Sequence, residues 1–422
     1  AIVPAEGLGR FSLQATQATP LTAYVPLETI QQALDRPDKI NAILFAGPRA
    51  DRGTALEDQA QLKQRIRPTL DDAGLNLSRV ERKYWNEDQD SSKNAYEYFN
   101  LSTDRMVFSA EAHEAINNAF NDITLQPVMT YLANSIARDG DSDEEKIIPY
   151  STITAIDSIK DLGPLLDAEG NQLPALGDGD IVLNSWAATD LGVKPGDKIR
   201  VSYFEPESTH GEAVERSELF TLRGIVPLTE PLLPYTEEES ARYVSPPSAA
   251  TDPDLTPTVP GITDQQSIDE WDPPFPFDYG KIRKPKDEDY WDAYRTTPKA
   301  FVSLATGQKL WQSRFGQTTS FRIPINQPSA DESIIETRLE EVINQQLEQF
   351  GFALLSVKSD GLRAASGTTP FNLLFLGFSF FIIASAVMLV SLLSRLAIEQ
   401  RATNAGLLLA VGLSRKDVTR LF

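Results

Sequence analysis

Residues Phe371 to Ser394 read FNLLFLGFSFFIIASAVMLVSLLS, twenty-four positions without a charge. At about 1.5 Å rise per residue, a helix over them is roughly 36 Å long, enough to cross a hydrocarbon core of about 30 Å with some tilt. The competing reading is a helix buried in a soluble core. Soluble helices of this length carry a polar face, whereas here only Asn372 and a few serines interrupt the apolar surface. The stretch reads as a membrane span.

The flanks orient it. After Ser394 come Arg395, Arg401, Arg415, Lys416 and Arg420 against Glu399 and Asp417, a net of +3. Before Phe371, 34 Lys and Arg face 58 Asp and Glu, a net of −24. Basic residues beside a span stay on the cytoplasmic side. The expectation is an inner or plasma membrane protein with residues 1–370 outside and residues 395–422 in the cytoplasm. The acidic body argues against nucleic acid as a partner, since a phosphate backbone demands a basic surface. With no cysteine and only His113 and His210, zinc and thiol chemistry have almost no ligands to draw on. The chain opens at Ala1 without Met and stops just after a helical pattern, which suggests an upstream anchor and further spans beyond both ends.

A body of this length predicts two or more folded units. The fold class expected is α+β, with duplicated β-α-β-α-β units around a β-rich insert. Within residues 1–110, strands are expected at Thr22–Pro26, Ile40–Ala46 and Leu75–Val80, with helices at Glu28–Leu34 and Ala55–Leu70. The segment Ala300 to Gln308 matches Ala23 to Gln31 at five of nine positions, with Phe301 in place of Tyr24. A similar order then follows in residues 298–360: strand at Thr319–Ile323, helix at Ser333–Phe350, strand at Phe352–Val357. Between the copies, residues 111–226 hold a helical segment and the insert. Ala110–Ile136 reads as helix-rich, with Pro127 breaking it. Ile147–Ile153, Ile181–Leu183, Lys198–Phe204 and Glu218–Val226 read as strands, the last two as a hairpin, and Ser185–Leu191 as a short helix closed by Gly192. Residues 227–297 form a Pro-rich excursion: Pro227–Pro285 holds twelve of the 28 prolines. Trp271, Phe275, Phe277 and Tyr279 are expected to pin it to the body.

No constellation for catalysis assembles along the chain. Asp139-Gly140-Asp141-Ser142-Asp143-Glu144-Glu145 is rich in oxygen but lacks the glycine and glutamate register of a calcium loop, and reads as a solvated turn. Asp178-Gly179-Asp180 reads as a turn entering a strand. His113 and His210 are expected to face solvent. The tail, residues 395–422, carries more. Ser414 can cap a helix whose Asp417 reaches back to it, with Val418, Leu421 and Phe422 on one face and Arg415 and Lys416 elsewhere. Such a helix could rest on lipid headgroups or dock a cytoplasmic partner. Along the span, Gly377, Ala384, Ser385 and Ala386 are small enough for close helix packing.

The run from the span through Glu399 to Leu408-Leu409-Ala410-Val411-Gly412-Leu413-Ser414-Arg415-Lys416-Asp417-Val418 resembles the FtsX-like (MacB/LolC-type) permeases of ABC transporters. Val182-Leu183-Asn184-Ser185 and Leu191-Gly192-Val193-Lys194-Pro195-Gly196-Asp197-Lys198-Ile199 are similar to a pattern in their extracytoplasmic domains. The resemblance implies a non-catalytic membrane subunit that couples a cytoplasmic ABC ATPase to movement outside. A protein partner outside the membrane is possible on the same grounds. It also implies that Ser414, Arg415, Lys416 and Asp417 touch the ATPase. No cofactor or metal is expected, and because one helix forms no pathway, a homo- or heterodimer or additional spans are required. The chain departs from small family members in its size, its repeated unit and its Pro-rich excursion. The alternative from another class is a single-span envelope receptor or scaffold with no ATPase; a third is an anchored hydrolase with scattered catalytic residues.

Overall fold

The structure, a computed structural model, describes residues 12–13, 21–45, 61–86, 90–141, 143–207, 212–231, 242–273, 275–326, 331–365 and 371–421. The chain divides into two compact units, Ala50–Ala353 and the pair of segments Ala1–Arg49 and Leu354–Phe422. In the second of these, helix α1 (Leu27–Ala33) stands between irregular, exposed segments at 21–26 and 34–45.

The unit Ala50–Ala353 is built on ten strands: β1 (Leu75–Asn86), β2 (Ser91–Thr103), β3 (Gln126–Arg138), β4 (Ile148–Ala155), β5 (Asp180–Asn184), β6 (Lys198–Phe204), β7 (Glu215–Val226), β8 (Arg242–Tyr243), β9 (Ala300–Val302) and β10 (Ser320–Pro324). Strand β4 pairs with both β3 and β9, so β3-β4-β9-β5-β7-β6 closes on itself as a six-stranded barrel. The N-terminal end of β3 leaves the barrel and pairs with β10, which continues through β2 and β1 to β8 as an open sheet. One long strand therefore belongs to both halves.

Alternation along the strands sets what each face packs. In β2 and β10, Phe99, Leu101, Phe321 and Ile323 point to one side and meet α2 (Ala110–Ala119) and α6 (Glu332–Gln345) through Ile116, Ile335, Leu339 and Ile343. The residues between them, Tyr98 and Arg322, face the opposite way and are also buried. Inside the barrel, Met129, Ala133, Ile153, Leu183, Val201 and Leu222 form the core. It is flanked by α3 (Ser185–Leu191), which ends at Gly192 in a left-handed conformation, and by α5 (Leu304–Trp311). Trp311 of α5 is buried, stacked 5.6 Å from Tyr131 and edge-on to Tyr203. Helix α4 (Lys286–Tyr294) follows the Pro-rich stretch.

The mixed α/β architecture, the β6–β7 hairpin, the capped α3 and the aromatic anchoring of the Pro-rich stretch agree with the sequence reading. That stretch is a packed cap: Ala250, Leu255 and Ile268 are buried, and Trp271 joins Tyr150 and Trp291 in a cluster. The helical segment needs correction on two points. Ala110–Ile136 is helical only to Ala119, and Pro127 lies inside β3, near its start, where β10 is its partner.

Among the described residues the expected duplication is not confirmed. Helix α1 and helix α5 do sit at the matched positions, but Thr22–Pro26 and residues 40–45 are irregular and exposed, while Ala46 lies outside the described residues. Of Ala55–Leu70, residues 61–65 are helical, 66–70 are not, and 55–60 lie outside the described residues. Phe352–Val357 is no strand either, since Val357 starts α7 (Val357–Ala365). The physical reason is burial. Ala300-Phe301-Val302 is wedged between β4 and β5, and α5 lies against Ala155 of β4 through Gly307. The matched position in α1 is Ile30, too large for such an approach.

The other unit, Ala1–Arg49 with Leu354–Phe422, holds besides α1 the helices α7, α8 (Phe371–Ala410) and α9 (Arg415–Leu421). Helix α8 is forty residues long and among the described residues is the one helix long and apolar enough to cross a membrane. Phe380, Phe381, Ile382 and Ile383 are 69, 71, 70 and 62% exposed. Four consecutive residues cover the full circumference of a helix, so no side of α8 is covered by protein here.

Gly307 gives a test of the barrel packing. A Cβ there would overlap the Ala155 Cβ, so Gly307→Ala is expected to destabilise the unit by about 1–3 kcal/mol, the range for overpacking a tight site. A thermal melt of the purified protein that leaves the midpoint unmoved contradicts the packing described.

Candidate functional site

The tail residues singled out from sequence come together as a short capped helix. Helix α8 ends at Ala410, and Gly412, with φ of 101°, turns the chain through a conformation that a side chain would strain. Ser414 then caps α9: its Oγ accepts from the Asp417 N–H at 3.4 Å and donates to the Asp417 carboxylate. Val418 is buried, whereas Leu421 is exposed and Phe422 lies outside the described residues. Ser414 and Asp417 are thus occupied with each other, and Arg415 and Lys416 stand exposed on the outside of the turn. Of the four small residues in the span, Gly377 and Ala384 are seven apart and share a face, Ser385 is about 100° round, and Ala386 lies nearly opposite Ala384. The Ser385 Oγ donates back to the Phe381 carbonyl at 2.7 Å, which satisfies it without a neighbour.

Two features of the unit Ala50–Ala353 were missed in the sequence. The first is a fully buried ionic cluster. Asp252, in the Pro-rich cap, accepts from Arg322 Nη2 at 3.1 Å, from Arg82 Nε at 3.2 Å and from the Tyr98 hydroxyl at 2.8 Å. Arg82 also reaches Asp254, and Arg322 reaches the Gln126 side chain at 2.8 Å while lying 4.1 Å over the Tyr98 ring. Burial pushes the Asp252 carboxyl up, but Arg82 and Arg322 overcome it and hold the group below the usual carboxylate range. Burial and the Asp252 charge push the Tyr96 and Tyr98 phenols up, so both stay neutral donors. Only an arginine amid strand alternation, as in Phe321-Arg322-Ile323, could have signalled it.

The second is a cavity of about 280 Å³ between the outer face of the β3–β4 pair, the Pro-rich cap and α4. Its wall is mostly apolar, from residues such as Leu132, Val259, Ile262, Ile268, Trp271 and Trp291. Lys299, on the connection into β9, also lines it and is only 7% exposed. Its ammonium sits 4.6 Å from the Trp186 ring and 4.5 Å from the Tyr290 ring. Burial lowers the Lys299 pKa to about 8, against the partly offsetting charge of Asp287, while Arg283 adds to the depression. Tyr290 is fixed in turn by Asn184, which donates to its oxygen at 3.0 Å, and it donates to the Thr297 carbonyl.

The remaining candidates are structural. Asp139 pairs with Arg200, Asp143 caps a short 3-10 turn, and Ser142 lies outside the described residues. Among the described residues no group of His, Asp and Glu could hold a metal ion. Asp180 accepts from the Gly177 N–H and pairs with Arg223 at 2.7 Å, as a turn entering β5 requires, and Asp178 pairs with Lys309. His113 is half-buried and not solvent-facing: α2 sets its Nδ1 2.7 Å from the Thr318 hydroxyl and its Nε2 2.7 Å from Asn117, and burial lowers its pKa. His210 lies outside the described residues. In comparisons with known proteins, no family model matches the chain and no curated protein is similar to it.

Asp252→Ala leaves two arginines buried without their shared counter-ion, and a loss of about 3–5 kcal/mol is expected in a denaturant titration. The lysine carries the opposite sign. Its folded pKa of about 8 lies below the ordinary value of 10.5, so the unfolded chain binds more protons between those limits. Stability therefore rises as pH climbs from about 8 towards 10.5, and Lys299→Met is expected to flatten that rise in melts recorded across the window.

Proposed function

We propose that the chain is the non-catalytic permease subunit of an ABC transporter of the FtsX-like (MacB/LolC-type) kind. It transmits ATPase-driven change to a large domain outside the inner or plasma membrane, in export, lipoprotein handling or mechanotransmission. The observation that carries this reading is the unbroken helix α8. Its uncharged segment spans roughly 36 Å, yet the helix continues to a full length of roughly 60 Å before the turn at Gly412. A rigid rod that overshoots the lipid and ends in a small capped helix suits the transmission of displacement. The charge asymmetry supports a cytoplasmic tail. Arg415 and Lys416, exposed at the start of α9, are the residues on which an ATPase would bear.

One span makes no pathway, so a homo- or heterodimer, or additional spans, complete the membrane part. Gly377 and Ala384 share the face on which close packing is open. A second reading, a single-span envelope receptor or scaffold without an ATPase, draws on the cavity beneath the Pro-rich cap. The two separate on the ATPase alone.

Co-purification with candidate ATPases tests the permease reading. Arg415→Glu with Lys416→Glu is expected to weaken association by about tenfold or more and to reduce ATPase stimulation, the effect of roughly 1.4 kcal/mol at the contact. Both side chains are exposed, so the melting temperature should hold. Undiminished association and stimulation in the double variant count against the docking role.

A further inference from the structure

The cavity between β3–β4, the Pro-rich cap and α4 has the composition of a small-molecule site, a mostly apolar wall with a few polar groups. Its volume of about 280 Å³ stands at the lower end of ordinary small-molecule sites, which are mostly apolar with a few placed polar groups. Lys299 supplies a cation at its wall. Among the described residues its ammonium forms no ion pair and no hydrogen bond, and two aromatic faces are its partners. Arg295, also on the wall, bonds to the Gln266 carbonyl and side chain and has no carboxylate partner among the described residues. The one carboxylate on the wall, Asp287, is held by Arg283 through both its oxygens, at 2.7 and 3.2 Å. The wall is therefore left with an excess of positive charge that the protein does not neutralise.

Two further atoms are unsatisfied. The Asn134 Oδ1 and the Trp271 Nε1 are buried without a hydrogen-bond partner, and both residues line the cavity. A buried polar atom left unpaired costs about 1–3 kcal/mol, and a buried cation without a counter-charge costs more. The Lys299 ammonium and the Trp271 Nε1–H are donors that a ligand carboxylate could satisfy, whereas the Asn134 Oδ1 would need a donor.

We infer that this cavity binds a small monocarboxylate with a largely hydrocarbon body. The carboxylate pairs with the Lys299 ammonium, and the chain lies against Val259, Ile262 and Ile268. An anion suits the uncompensated cation, and a single anionic group suits a wall that is otherwise carbon. A phosphate monoester or a dicarboxylate would bring more charge than the buried Lys299 alone offsets, since Arg295 is already bonded to Gln266. The inference goes beyond the permease reading and stands with or without an ATPase partner.

The experiment uses the full chain in lipid nanodiscs, with empty nanodiscs as the blank, and octanoate as the probe. Isothermal titration should show saturable octanoate binding above the blank. Octanol, the neutral counterpart of the same length, and Lys299→Met with octanoate should each bind about tenfold weaker or worse. Lys299→Arg should keep most of the affinity. Equal binding of octanol, or full affinity in Lys299→Met, overturns the ion pair. Heat no different from the blank overturns the site. Should Lys299→Met melt out of the folded state, Val259→Trp decides: filling the apolar end must remove octanoate binding, and retained binding refutes the location.

Discussion

A single carboxylate holds the open sheet to its cover. Asp252 lies in a segment that sequence composition marks as unable to form ladders, yet two strands each supply an arginine to it. Neither arginine could be buried alone, because an isolated charge in a protein interior costs several kcal/mol. The cap and the sheet therefore stand or fall together. With Tyr98 donating to the same carboxylate, the geometry fixes where the Pro-rich chain crosses β2 and β10, and hence where the cavity wall runs beyond Leu255.

Strand β3 has a comparable role in the covalent frame. Its first residues pair with β10 in the open sheet, and its remainder pairs with β4 and β6 in the barrel. A displacement of β3 would be felt on both sides at once, and its even-numbered residues Leu132 and Asn134 look out onto the cavity. The helices α2 and α6 cover the far face of the open sheet, so the cavity belongs to the barrel's outer surface rather than to the helical layer.

Local chemistry was legible in the sequence wherever a residue type has one physical use. The α3 helix with Gly192 after it, the β6–β7 hairpin, the Ser414–Asp417 cap and the apolar span all followed from propensity, turn chemistry or hydropathy. What failed depended on distant partners. Ala23-Tyr24-Val25 and Ala300-Phe301-Val302 look alike, but only the second has strands on both sides. Pro127 looks like a helix breaker and is a strand residue at a junction. The hydrophobic period could not separate the two. The cluster at Asp252 was invisible because its members lie 170 and 70 residues away along the chain. Lys299 was equally silent, since one lysine before a short apolar run has no signature.

The closure of the barrel also decides how this protein behaves in a crowd. A ring of six strands has no rim to which a seventh can attach. The open sheet does have one, along β1, where among the described residues β8 pairs with Lys83 and Tyr84 alone. There Arg79, Glu81 and Lys83 form a chain of ion pairs with one another and with Glu97. A foreign strand adding to that rim would have to strip water from alternating charges, so the molecule can be packed densely on a surface without zipping to its copies.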